Sequence, residues 1–235
     1  MNKLFTYILL LTLFASCQRI LFNDDEGTRE IQLEDFHAAD ISGIYDIVLV
    51  QDSTNKLVIT GKKDINSITA FVKNDTLIID DHKKMTVNPD KNRLTIHFID
   101  IEHLVTNDPV YISNTDTIRT DNFVYEGIGE ITEARLIVDC NYFLIVNSAN
   151  TLGYSYISGF ANTSVLFNRY GSSIFAENLK CRNVEAINGS VGDIYLSASD
   201  NITASIKGPG NIYYHGKPVV KITEQTGSGK IVPLD

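Results

Sequence analysis

TEQTGSGKIVPLD fills residues 223–235. At its centre, Gly227-Ser228-Gly229-Lys230 resembles the tail of a phosphate-binding loop, and whether it is one decides the fold. That loop needs a Gly separated by four residues from its second Gly, and a Ser or Thr after the Lys to hold magnesium. Here Glu224 and Ile231 occupy those positions. The loop must also open a helix, whose N-terminus supplies part of the anion site, and Pro233 follows too soon for one. The glycines need another reason, and their recurrence gives it. Gly208-Pro209-Gly210-Asn211-Ile212 repeats the pattern, Gly189-Ser190-Val191-Gly192-Asp193-Ile194 loosens it, and Gly171-Ser172-Ser173-Ile174 shortens it. Gly127-Ile128-Gly129-Glu130-Ile131 is another full copy, and Asn150-Thr151-Leu152 a degenerate one. The apolar anchors are then Ile131, Leu152, Ile174, Ile194, Ile212 and Ile231, at intervals of 21, 22, 20, 18 and 19 residues, with Val110 one interval earlier.

A period near 20 in a β-rich chain points to a solenoid. The segments alternate instead of following a 3.6-residue period, as in Ile202-Thr203-Ala204-Ser205-Ile206 and Val219-Val220-Lys221-Ile222. Period two with β-branched residues indicates strands with one buried face. Each unit therefore reads as a Gly-rich corner, a short strand, a bend and a second strand. The glycines supply positive φ and close backbone approach at a corner repeated in every coil. Lys230 becomes an exposed corner residue. The fold expected is all-β, a parallel β-helix over residues 107–235.

Residues 31–106 read as an N-terminal β-rich cap, which solenoids need because open sheet edges invite aggregation. A hairpin is expected from 44–50 and 56–60, a short helix from 64–72 with Ile65, Ile68 and Phe71 on one face, and strands at 76–80 and 93–99.

The order of these pieces resembles the auto-transporter adhesin head domain, or GIN domain, family, frequent in lipoproteins of Bacteroidota. The repeated Gly-x-Gly-x-Ile corners, the stretch from Gly208 to Pro218 and the closing Gly-Ser-Gly-x-Ile carry the likeness. So does the N-terminal run Phe36, Ile41-Ser42-Gly43-Ile44-Tyr45-Asp46-Ile47 and Asp75-Thr76-Leu77-Ile78-Ile79. The resemblance covers about residue 36 to the end, with eroded glycine pairs between 148 and 174. It implies a right-handed parallel β-helix and, by the family's name, adhesion. It offers no catalytic residues.

Met1-Asn2-Lys3 followed by the apolar run Leu4 to Phe14 is a targeting signal, too short to span a bilayer, which takes about 20 residues. Phe14-Ala15-Ser16-Cys17 fits bacterial lipoprotein processing, so residues 1–16 are read as a signal peptide and Cys17 as the lipid-bearing mature N-terminus, palmitate included. Residues 17–30 form the tether. Its acidic run, Asn23-Asp24-Asp25-Glu26, is either a solvated spacer or a surface-export tag. The lipid places the chain at the outer membrane, on the cell surface or the periplasmic face. Without Lys3 the chain carries 19 basic against 29 acidic residues, a balance of −10. That sign disfavours nucleic acid, which needs a basic face.

Cys140 and Cys181 fall two coils apart. Strand spacing of about 4.8 Å puts their α-carbons roughly 10 Å apart, beyond disulfide reach. Two buried free thiols are expected. The five histidines are scattered at 37, 82, 97, 103 and 215, with no ligand spacing for a metal, and no cofactor is expected. Some β-helices act on polysaccharide through clustered carboxylates, but here Asp193 aligns with Ser173, Asn211 and Lys230, and Glu177 with Ser197 and His215. A non-catalytic adhesin or glycan- or protein-binding module is the leading reading, with a polysaccharide-acting enzyme and a periplasm-facing structural lipoprotein as alternatives.

The residues after three successive anchors are Phe175, Tyr195 and Tyr213. If the anchors point inward, these point outward and stack at about 4.8 Å. Such a ladder is either a binding platform for sugar rings or a partner protein, or a device that only stabilises the stack.

Overall fold

The computed structural model describes residues 21–23, 26–61, 65–81, 92–148 and 151–234. Among them there are strands and no helices. The N-terminal strands are β1 (Leu21–Asn23), β2 (Glu26–Gln32), β3 (Ala38–Ile41), β4 (Tyr45–Gln51), β5 (Lys56–Gly61), β6 (Ile68–Lys73), β7 (Thr76–Asp81), β8 (Asn92–Phe98) and β9 (His103–Thr106). Then come β10 (Val110–Asn114), β11 (Ile118–Arg119), β12 (Asn122–Gly127), β13 (Ile131–Asn147), β14 (Leu152–Tyr170), β15 (Ser173–Ser190) and β16 (Ile194–Ile206). The chain closes with β17 (Ile212–His215), β18 (Val219–Gln225) and β19 (Ile231–Pro233).

Their pairing makes a β-solenoid of about 6 turns with two main faces. One face runs β1–β2–β5–β8–β4–β10–β13–β14–β15–β16–β17–β19. The other runs β6–β7–β3–β9–β12–β13–β14–β15–β16–β18. Every pairing is parallel except those that begin each face: β1, β2 and β5 on the first, and β6 on the second. Antiparallel strands end each sheet at its N-terminal side, while the parallel ladder runs through residue 107 without a break.

The long strands β13, β14 and β15 each serve both faces. The expected bend between two short strands is taken up inside one ladder, because inward and outward residues alternate almost continuously along them. The coil before β13 keeps its strands separate, as β10, β11 and β12, and so does the last, as β17 and β18.

Two N-terminal expectations are corrected. Residues 45–51 and 56–61 are not a hairpin: β8 lies between them, parallel to β4 and antiparallel to β5. The expected helix is strand β6, antiparallel to β7, preceded by a turn at Ile65–Ser67. Spacing of three between Ile65, Ile68 and Phe71 fits a helix face, but β7 offers an open edge, and the β-branched pair Ile68-Thr69 suits a strand.

The anchors are correct for the C-terminal coils and wrong upstream. Ile174, Ile194 and Ile212 are fully buried and aligned, with Ile231 next in the column. Continued upwards, that column holds Ser155, Ala134 and Ile112 rather than Leu152, Ile131 and Val110. Ile131 and Leu152 face solvent, 62% and 58% exposed. Two residues after Gly210 comes a buried Ile212, whereas two after Gly129 comes an exposed Ile131 and then a buried Thr132. The column residues Ala134 and Ser155 lie three positions further on, and an odd displacement turns every following side chain to the opposite face.

The corner glycines are required for close approach. A Cβ on Gly210 would overlap the carbonyl oxygen of Gly192, and one on Gly229 the carbonyl oxygen of Gly210. Their φ is ordinary. Among described glycines, positive φ occurs at Gly43, Gly159 and Gly216, so the expected left-handed role falls away at these corners.

A buried amide column ties the corners to the stack. Asn147, Asn168 and Asn188 lie in register. Asn147 Nδ2 donates to Asn168 Oδ1 at 3.4 Å, and Asn168 Nδ2 to Asn188 Oδ1 at 3.3 Å. Each of the latter two also closes its own corner: Asn168 Nδ2 donates to Ser172 O at 2.8 Å and Asn188 Nδ2 to Gly192 O at 3.0 Å. Gln225 repeats this at the last corner, donating to Gly229 O at 2.7 Å. A corner carbonyl that turns inward would otherwise be an unpaired buried acceptor.

Cys140 and Cys181 are free and buried, on either side of Ala161 in one column. Burial pushes the Cys140 thiol up to about 12 and the Cys181 thiol up to about 11.

Replacing Asn168 with Ala should lower the unfolding free energy by about 2–3 kcal/mol, since it strands buried partners of both signs. Urea denaturation checks this through the midpoint, with the slope unchanged; a loss under about 0.5 kcal/mol would contradict the amide column's role. The two buried thiols should resist a thiolate-directed reagent at about pH 8 and react on unfolding. Because both values are raised, their contribution to stability is intact below the ordinary thiol range and is lost as pH climbs through it towards the folded-state values.

Candidate functional site

In-register parallel coils place equivalent residues one rung apart, about 4.8 Å. On the first face this brings Tyr156, Phe175, Tyr195 and Tyr213 into one outward column. Their rings stack continuously. Centroids lie 5.0 Å apart for Tyr156 and Phe175, 5.2 Å for Phe175 and Tyr195, and 4.9 Å for Tyr195 and Tyr213, with planes within 11°, 10° and 17° of parallel. All four rings are partly exposed.

The column has distinct ends. Above it, Arg135 holds the next position, its guanidinium carbon 4.3 Å from the Tyr156 centroid. Arg135 Nε and Nη2 both donate to Glu133 Oε1, at 3.0 and 2.7 Å, which fixes the cation over the ring. Below it, Val232 pairs with Tyr213, whose hydroxyl accepts from Asn211 Nδ2 at 3.0 Å. Burial, and after it the Asp193 carboxylate, hold the Tyr195 hydroxyl above its ordinary value, so it remains a neutral donor. Tyr154 sits beside the column, 53% exposed, its ring tilted 43° from Tyr156 and 45° from Phe175.

This geometry limits the contacts the strip can make. Along the column the ring faces cover one another, so the outward surface consists of ring edges and phenol hydroxyls. Tyr154, tilted out of the stack, is the ring best placed to offer a face.

Phe175, Tyr195 and Tyr213 are thus assembled as aligned neighbours. Tyr154, Tyr156 and Arg135 were missed. The wrong anchor at Leu152 put Gly153 in the column's place, whereas an anchor at Ser155 points directly to Tyr156. Cys17 lies outside the described residues. Among the described residues no group of three His, Cys, Asp or Glu side chains gathers as a metal site. On this face the carboxylates of Glu133 and Asp46 are engaged by Arg135 and Arg93.

Solved structures share the architecture. A putative adhesin from Bacteroides fragilis is 25% identical with a TM-score of 0.79, over 90% of this chain and 98% of that one. A putative lipid binding protein from Parabacteroides distasonis is 18% identical with a TM-score of 0.65, over 91% and 98%. A putative adhesin from Parabacteroides merdae is 17% identical with a TM-score of 0.62, also over 91% and 98%. The latter two speak to the fold alone. No curated protein matches the chain. The family described as "Putative auto-transporter adhesin, head GIN domain" matches residues 35–218, and the chain belongs to that family.

Proposed function

We propose that this protein is an exported, lipid-anchored adhesin that binds an extended glycan along its aromatic face and performs no chemistry on it. The observation that carries the reading is the unbroken, partly exposed column of four rings. Stacking alone would explain a ladder, but it does not require three phenol hydroxyls at the outer edge or a tilted fifth ring beside it. Rings repeating at one rung suit a polymer whose sugar rings repeat at a similar rise, and aromatic edges and polar tips together suit a sugar's mixed surface. The acidic balance of −10 after signal removal favours a neutral partner over an anionic one. The adhesin description of the family agrees with a binding role. Catalysis on polysaccharide needs a free pair of carboxylates across the bond to be cut; on this face Glu133 and Asp46 are tied to arginines.

The lipid on Cys17 would hold the domain at the outer membrane, a short way ahead of β1 and β2. Cys17→Ala should move the protein from the membrane fraction to the soluble fraction of broken cells, and unchanged partition would contradict the anchor. The double substitution Tyr195→Ala and Tyr213→Ala should leave the far-ultraviolet circular dichroism intact and weaken retention on immobilised neutral polysaccharides by about tenfold or more, given about 1 kcal/mol or more per lost aromatic contact. Equal retention by the folded double variant would overturn the platform.

A further inference from the structure

Beside the ladder the stack is irregular. Pairing of β14 with β15 passes from Tyr156↔Phe175 to Ser158↔Asn178, so β15 carries one extra residue there. Against β16 the mismatch grows: β15 spends five residues from Ala176 to Cys181 where β16 spends two, from Leu196 to Ala198. The surplus chain opens a recess of about 330 Å³ next to the ring column, lined among others by Arg135, Tyr156, Ser158, Phe175, Glu177 and Asn178. Glu177 is the first residue of this surplus. Its Oε2 is shut off from solvent and accepts no hydrogen bond among the described residues. A carboxylate oxygen in that position is costly, because a buried charged acceptor without a donor loses its hydration with no return. Bulges in sheets are commonly kept next to functional sites, where they redirect a side chain.

Resting on the glycan reading above, we propose that this recess is the subsite that selects the sugar: it takes one neutral, hydroxyl-rich hexose unit of the bound chain. Its hydroxyls donate to the Glu177 carboxylate once this partly exposed side chain turns Oε2 into the recess. The Arg135 guanidinium, fixed by Glu133 and Tyr156, serves acceptor oxygens at the other side. Tyr156 and Phe175 form the apolar wall and join the subsite to the ladder. A uronate unit is excluded, since its carboxylate would lie against Glu177.

Calorimetric titration of four folded proteins tests this: wild type, Glu177→Gln, Glu177→Leu, and the Tyr195→Ala/Tyr213→Ala double variant. The probes are β-linked glucose, mannose and galactose hexamers and the corresponding uronate oligomers. Wild type should bind at least one neutral hexamer and no uronate. Glu177→Gln should bind that hexamer about tenfold or more weakly, while melting at the same temperature or higher because a stranded charge is gone. Glu177→Leu should behave likewise. Wild-type affinity in Glu177→Gln, together with loss in the double variant, overturns the subsite and leaves the ladder standing. Loss in neither variant overturns both. Tight uronate binding, or no binding of any neutral hexamer by wild type, overturns the subsite, and retention of the double variant on polysaccharide then decides the ladder separately.

Discussion

The hydrogen-bonded register between successive coils is the constraint on which the structure depends. Parallel pairing at one rung places each residue directly above its counterpart a turn earlier. From Ile174 through Ile194 to Ile212 this makes the core, from Asn147 through Asn168 to Asn188 the amide column, and from Tyr156 to Tyr213 the ring column. The three are one fact seen on different sides of the strand. It also explains the corners. Coils one rung apart leave no room for a Cβ between Gly192, Gly210 and Gly229, so the glycine spacing records the coil length.

Such a stack stabilises itself only through its neighbours, so its ends need separate treatment. At the N-terminal side the reversal of β5 and β6 stops the parallel ladder on both faces. The chain before residue 107 lacks the glycine repeat although it contributes β3, β4 and β9 to the same sheets.

The C-terminal coils were legible because their corners are uniform: Gly-x-Gly-x-Ile at 208–212 and 227–231 fixes both spacing and facing. Upstream the same motif misled, since the corner at 127–131 turns Ile131 outward. Apolar spacing cannot report how far into a corner the inward column resumes, and a displacement of three residues, from Ile131 to Ala134 and from Leu152 to Ser155, hid Tyr156 and Arg135. The asparagines stand at intervals of 21 and 20, a signal as clear as the glycines, but a search for apolar anchors passes over buried polar residues. The bulge at Glu177 was not legible at all: it exists only relative to the lengths of β14 and β16, which no local motif encodes.

Function follows from where this lattice faces. On the proposed adhesin reading, a ladder of ring edges and hydroxyls is useful for attachment only if the domain stands outside the cell. The most direct measurement is protease shaving of intact cells, followed with an antibody to residues 131–235 and with a periplasmic protein as control. The account predicts loss of the antibody signal while the control survives. Protection in intact cells, with digestion only after lysis, would contradict it and place the ladder face inside the envelope.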